Sequence, residues 1–335
     1  MLADEGISGI MTEGTQLRVF LFGGFRIEHE GQAPEVRSTR AVQALLAYLI
    51  LNHHCAHGRE ELQALFWPDY HPHQAQRCLS TALWRARAVL EPPHVPRGTY
   101  LRADALGRIG FAYGASVAAD AVEFRRAVEE QLRIPAARLE PQAAARLRHA
   151  VDQYTAGLLV GFDDEWAMGE RERLNLLLLR GLEHLVGYHQ GRAEPAEAFN
   201  LAVRILERDP LRESVHRAVM LCHCRMGQRG LAVQHYRACR ELLQRELGVE
   251  PSGETQALFV ELSRGCDDEA KPSTRSKLRA PAALRAELRG TLATLEVLRR
   301  HLEVALDLIG EADAGEARSS VRANVASALA QLASE

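Results

Sequence analysis

Lysine is almost missing from this sequence: it occurs only at Lys271 and Lys277. Arginine therefore supplies nearly all the positive charge, which favours bidentate contacts to phosphate or guanine over the point charge of an ammonium. Aromatic residues make up only 6% of the chain. Leucine, alanine and arginine dominate instead, so most of the core is expected in helices. No apolar run approaches the ~18–20 residues a membrane span needs. No basic start followed by a long apolar core marks a signal peptide. Residues 1–16 read as a flexible tail, and Met11 offers a second start. The six cysteines, Cys55, Cys78, Cys222, Cys224, Cys239 and Cys266, are too scattered for a disulfide scaffold. They are expected to be free thiols in a reducing cytoplasm.

Catalytic signatures are missing too. There is no Gly-x-Ser-x-Gly element, no His-Glu-x-x-His element and no Gly-rich loop followed by lysine. Gly23-Gly24 reads as a strand break. Asp163, Asp164 and Glu165 stand at a helix start, where carboxylates complement the dipole. An enzyme is not expected, and no cofactor. His53, His54, Cys55 and His57, with His71 and His73, invite a metal, but their spacing matches no paired zinc pattern. They read as loop histidines, with His71 and His73 able to donate to phosphate. The formal net charge is −3, so a strongly basic protein is excluded. The local balance differs. From His73 to Arg108 the basic residues are Arg77, Arg85, Arg87, Arg97, Arg102 and Arg108, against only Glu91 and Asp104. A basic patch on a mildly acidic chain suits DNA.

With 335 residues, about two or three domains are expected. Leu17–Ile27 alternates and breaks at Gly23-Gly24, as strands do. A turn at Gly31 precedes an expected third strand near Glu35–Val36. Ser38 or Thr39 can cap a helix over Arg40–Asn52. A short second helix covers Arg59–Trp67 and a third covers Gln74–Leu90, closed by Pro92-Pro93. The period then returns to two residues in Tyr100–Ala103 and Arg108–Tyr113, a hairpin around Asp104–Gly107. From Asp120 onward the pattern is helical: Ala121–Glu130, Pro141–Thr155, Glu165–Gln190, Pro195–Glu207, Leu211–Met226 and Arg229–Leu247. Gly191 with Ala196, and Gly227 with Ala232, repeat at one offset close to the ~34-residue tetratricopeptide period. Small residues there would let paired helices cross closely. Residues 266–280 read as a linker. Beyond it lie Pro281–Leu308, whose leucines fall three or four apart in a stripe suited to a coiled-coil or helical-hairpin seam, and a weaker stretch, Ala317–Leu332.

In the third helix Leu79, Leu83, Ala86 and Leu90 share one face, while Arg77, Thr81, Trp84 and Ala88 share the other. Ser80, Arg85 and Arg87 flank the outward face. Such a helix fits a major groove, with arginines on guanine and phosphate and hydroxyls on several bases. Ordinary solvated arginines explain the same pattern. Trp166, Tyr188, Phe199, Tyr236 and Phe259 fall at helical positions; they read as core, or as the lining of a groove for a peptide or small effector.

Strands, three helices and a hairpin describe an OmpR-type winged helix-turn-helix. Gln76–Leu90 resembles the recognition helix of that type. Arg85 and Arg87 match its two arginines, Trp84 stands where a small or polar residue is common, and Ala86 where leucine is. Ser38-Thr39-Arg40 resembles the family's phosphate-touching start of the first helix. Arg102 and Arg108 resemble basic residues of the wing, which enters a minor groove. Leu158–Trp166, Asp209–Glu213 and Leu242–Ser252 resemble the bacterial transcriptional activator domain. The whole run from Leu17 to about Leu262 is similar to the SARP family of antibiotic regulatory proteins.

The expected fold is mainly α with a small β component. A winged helix (17–115) precedes a tetratricopeptide-like helical domain (116–265), the linker and a helical extension (281–335). The resemblance implies a cytoplasmic DNA-binding transcription activator acting on promoters with direct repeats and recruiting RNA polymerase. Thr39, Arg40, Arg77, Ser80, Thr81, Trp84, Arg85, Arg87, Arg102 and Arg108 are its expected DNA contacts. A homodimer, on DNA or through the C-terminal helices, is expected; that extension could instead pack onto the helical domain. The alternative is an interaction scaffold or effector sensor whose winged helix is a docking surface.

Overall fold

The computed structural model describes residues 17–34, 36 and 38–269. The helical stretches expected at Pro281–Leu308 and Ala317–Leu332 lie outside them. The described residues open with β1 (Leu17–Phe20) and β2 (Arg26–His29), an antiparallel pair with Val19 opposite Ile27. Gly23, at φ 82°, turns the chain between them, a conformation that costs glycine little. Helices α1 (Arg40–Leu51), α2 (Arg59–Phe66) and α3 (Pro72–Leu90) follow, then the hairpin β3 (Leu101–Ala103) and β4 (Ile109–Phe111). Pro72 occupies the first turn of α3, where its missing N–H costs nothing. Glu61 Oε2 accepts the Gly58 amide at 3.2 Å to close the start of α2.

One expected strand is displaced. The segment near Glu35–Val36 does not supply the third strand: Val36 is an exposed bend, and Gln32 makes a single bridge to His29. The third strand is β5 (Val117–Ala119), which returns after the hairpin and lies parallel to β1. All of β5 is buried, whereas an exposed Val36 gains nothing by pairing. Helix α4 (Asp120–Leu132) starts at the next residue, so the sheet and the helical part share one continuous segment.

Helices α5 (Pro141–Gln153), α6 (Glu165–Gly191), α7 (Pro195–Leu206), α8 (Glu213–Arg225), α9 (Arg229–Leu247) and α10 (Gly253–Glu269) complete the order, each from α6 on packing against the next. Helix α10 runs through the first residues expected as linker. Gly248 closes α9 in the left-handed conformation at φ 69°, as its Gly-then-Pro context requires. Of the four small residues expected at close helix crossings, Ala232 is fully buried, in a cluster with Met220 and Tyr236, and the other three are not. Gly191 and Ala196 are exposed, and a Cβ on Gly191 or Gly227 would meet nothing within 4 Å. Gly191 ends α6 and Gly227, at φ 76°, turns the chain beyond α8; both serve as punctuation. The close approach is at Gly181, where a Cβ would stand 3.1 Å from Val151 Cγ1 and 3.2 Å from Val128 Cγ1.

One apolar cluster runs without a break from Leu17 in the sheet to Cys222 in α8. The join between sheet and helices is built from several contacts. The Asp120 carboxylate accepts the amides of Leu21 at 2.8 Å and Phe22 at 3.1 Å. Leu159 N donates to Leu21 O at 2.8 Å, and Gly23 N to Gly157 O at 2.9 Å. Arg171 holds that loop by donating to the carbonyls of Leu158, Leu159 and Phe162. Phe22 meets Tyr154 at 4.7 Å and Phe124 edge-on at 5.7 Å. Trp166 packs on Tyr48 of α1 at 5.4 Å and Phe66 of α2 at 6.0 Å. No described helix is long and apolar enough to cross a membrane.

Candidate nucleic-acid interface

Helix α3 divides as its spacing predicts. Leu79, Leu83, Ala86 and Leu90 are buried, together with Ala75, Ala82 and Val89. Arg77, Ser80, Thr81, Trp84 and Arg85 are exposed, and Ala88 is half-buried. The outward face borders a cleft of about 730 Å³. The start of α1 contributes Thr39 and Ala41 to it, the approach to α3 contributes Trp67 and His71, and α3 itself contributes His73, Arg77, Cys78, Thr81 and Arg85. No carboxylate lines it. Such a surface is electropositive, with hydroxyl and imidazole donors between the guanidinium groups.

The other expected contacts have different engagements. Arg87 is half-buried, with Nη1 3.6 Å from Glu91 Oε2. Glu91 is buried and accepts the amides of Gly98 at 2.9 Å and of Tyr100 and Leu101 at 3.0 Å. Arg87 thus balances the acid that fastens the wing to the end of α3. Arg108 Nε donates to Asp104 Oδ2 at 2.6 Å, and the same partner holds the Asp104 carboxyl below its usual range. Arg102 Nε donates to Gly98 O at 3.1 Å. The Arg40 guanidinium lies over the Phe162 ring, 4.6 Å from its centroid. Ser80 Oγ donates to Gln76 O at 2.8 Å, leaving its lone pairs outward. Thr39, Arg77, Thr81 and Arg85 therefore share one cleft, with Ser80 and Trp84 on the same exposed helix face. Arg40, Arg87, Arg102 and Arg108 each already hold an intramolecular partner.

The loop histidines are structural where they are buried. His57 Nδ1 stands 3.0 Å from Glu61 Oε1, and its backbone pairs with Ile109 of the wing. Among the described residues no group of three or more His, Cys, Asp or Glu side chains is placed to hold a metal ion. Tyr188 and Tyr236 are buried, while Trp166, Phe199 and Phe259 are half-buried. Tyr236 and Phe259 also stack at 4.0 Å beside a groove of about 580 Å³.

Glu91, Asp120 and Arg171 were not singled out by sequence. Their partners are backbone groups, which leave no trace in residue identity. The turn of the wing stands where Asp104 followed by Gly107 signals it.

Residues 119–263 match the family model described as the bacterial transcriptional activator domain. The match covers under half of the chain and runs from the end of β5 into α10. Among curated proteins the chain is similar to the regulatory protein AfsR of Streptomyces coelicolor, at 28% identity over 95% of this chain and 31% of that protein. It is similar to AfsR of Streptomyces griseus at 26% identity over 69% of this chain and 23% of that protein. The chain thus spans about a third or less of the length of these relatives. Among solved structures it is similar to Mycobacterium tuberculosis EmbR, in complex with a low affinity phosphopeptide. The TM-score is 0.64 at 18% identity, covering 84% of this chain and 71% of that one. At that identity the likeness is one of fold.

Proposed function

We propose that this chain is a DNA-binding transcriptional activator and not an enzyme. Helix α3 enters a major groove, and the helical domain recruits RNA polymerase. The observation that carries the reading is the acid-free cleft bordered by Thr39, Arg77, Thr81 and Arg85. Arg77 and Arg85 are exposed there and free to replace counterions on phosphate or grip guanine. Ser80 and Trp84 belong to the same contact face. Arg40, Arg87, Arg102 and Arg108 belong to the site only as far as their present partners release them. The protein works in the cytoplasm on promoters with direct repeats, as a homodimer formed on DNA or through residues 281–335.

The test is the salt dependence of promoter binding. Arg77→Ala and Arg85→Ala should each lower the log–log slope by about one, while Arg87→Ala should leave it nearly unchanged. Unaltered binding by both Arg77→Ala and Arg85→Ala would refute the docking of α3.

A further inference from the structure

Two side chains stand out from the winged helix. Leu106 is 79% exposed and Trp84 is 65% exposed, the two highest values among large apolar side chains of the described residues. One exposed leucine on a surface needs no explanation; the setting of this pair does. Trp84 lies on the outward face of α3, between Arg77 and Thr81 on one side and Ala88 on the other. The other tryptophans are packed: Trp67 and Trp166 lie 5.9 and 6.0 Å from the Phe66 ring.

Leu106 stands at the tip of the wing, and the tip is stiff. Asp104 Oδ1 accepts the amides of Leu106 and Arg108, both at 2.9 Å, and Gly107 takes φ 75°. None of this uses the Leu106 side chain. Arg108, the cation expected to lead the wing into a groove, is neutralised by Asp104. The wing therefore presents an apolar end, not a charged one. Glu91 fastens the base of the wing to the end of α3, so both apolar side chains project from one frame.

We propose, building on the DNA-binding function above, that this surface reads sequence by apolar contact. Trp84 packs against thymine methyl groups in the major groove, and Leu106 wedges at a step of the minor groove. The thymine methyl is the apolar mark on the major-groove edge of a base pair. Apolar wedges in the minor groove kink duplexes at deformable steps. The arginines of the cleft then serve phosphates and affinity, and the preferred site is thymine-rich and easily bent.

The experiment uses the full chain to select a duplex from a random-sequence pool, and that duplex is the probe. Trp84→Ala should lower the ratio of specific to non-specific affinity about tenfold. The salt slope should stay unchanged, because no charge is removed. Replacing thymines by deoxyuracil one at a time should weaken the wild-type protein at the contacted positions and leave Trp84→Ala indifferent there. Leu106→Ala should reduce duplex bending in a circular-permutation mobility assay. Equal losses for wild type and Trp84→Ala at every thymine replacement would remove the methyl contact. Unchanged bending by Leu106→Ala would remove the wedge. A wild-type chain that selects no duplex fails the DNA-binding function itself, which is a separate result.

Discussion

Glu91 shows how far a residue's role can lie from its position in the sequence pattern. It stands just past α3, where a leucine stripe has ended, and its carboxylate fixes three amides of the segment leading into the wing. Glu91→Ala would leave those donors unpaired in a buried setting and strip Arg87 of its counter-ion. A loss of about 2–4 kcal/mol is expected, read as a lowered urea midpoint. Glu91→Gln, which keeps an acceptor oxygen, should lose less. At this scale the helical spacing was legible: Arg77, Thr81 and Trp84 were expected on one outward face with Arg85 flanking it, and all four are exposed. Arg40, Arg87, Arg102 and Arg108, expected as DNA contacts, each hold an intramolecular partner. Sequence shows that an arginine is present but not which carboxylate, carbonyl or ring reaches it first.

Pairs of elements carry their own sensitivities, and α8 with α9 is the clearest case. His216 Nε2 lies 2.8 Å from the Pro210 carbonyl, so it donates; Nδ1 must then accept, and His235 Nε2 donates to it at 2.9 Å. This network needs the accepting His216 ring neutral. Burial lowers His216 and His223, and burial with its two histidine neighbours lowers His235 to about 3. The unfolded chain binds these protons near pH 6.5 and the folded chain does not. The stability they contribute is complete above about pH 6.5 and is lost as pH falls from there toward 3. Amide protection factors, corrected for the intrinsic pH dependence of exchange, should fall in Glu213–Leu247 below about pH 6 before those of α1–α3; a parallel fall throughout would contradict this. Helix limits were readable from prolines and glycines, as at Pro72 and Gly248. The third strand was not, because its partner comes from the far end of the winged helix and pairing across that distance has no local signature.

Across the whole described molecule the two parts behave as one body in their packing. The apolar cluster crosses from sheet to helices, and Asp120 caps the path by holding the Leu21 and Phe22 amides. Asp120→Ala should cost about 2–3 kcal/mol. It should also uncouple amide exchange in β1 from that in α4 and α6, which in the wild type should open together. Exchange that stays coupled in the variant would show that the aromatic contacts of Phe22 and Trp166 suffice. The order of the two parts was visible from the switch in hydrophobic period near Asp120. Their rigid union was not, since it depends on backbone groups of Leu158 and Leu159 meeting Leu21 and on one arginine that locks them.

The returning strand has a bearing on how such proteins can be recombined. The apparent seam at residue 115 falls before Val117–Ala119, yet those residues complete the sheet begun at Leu17. A graft that exchanges reading heads at that seam would leave β1 half-zipped and orphan three buried side chains on the other piece. Any viable chimera must transplant the strand along with the head, and must match its first helical residue to the loop it clasps.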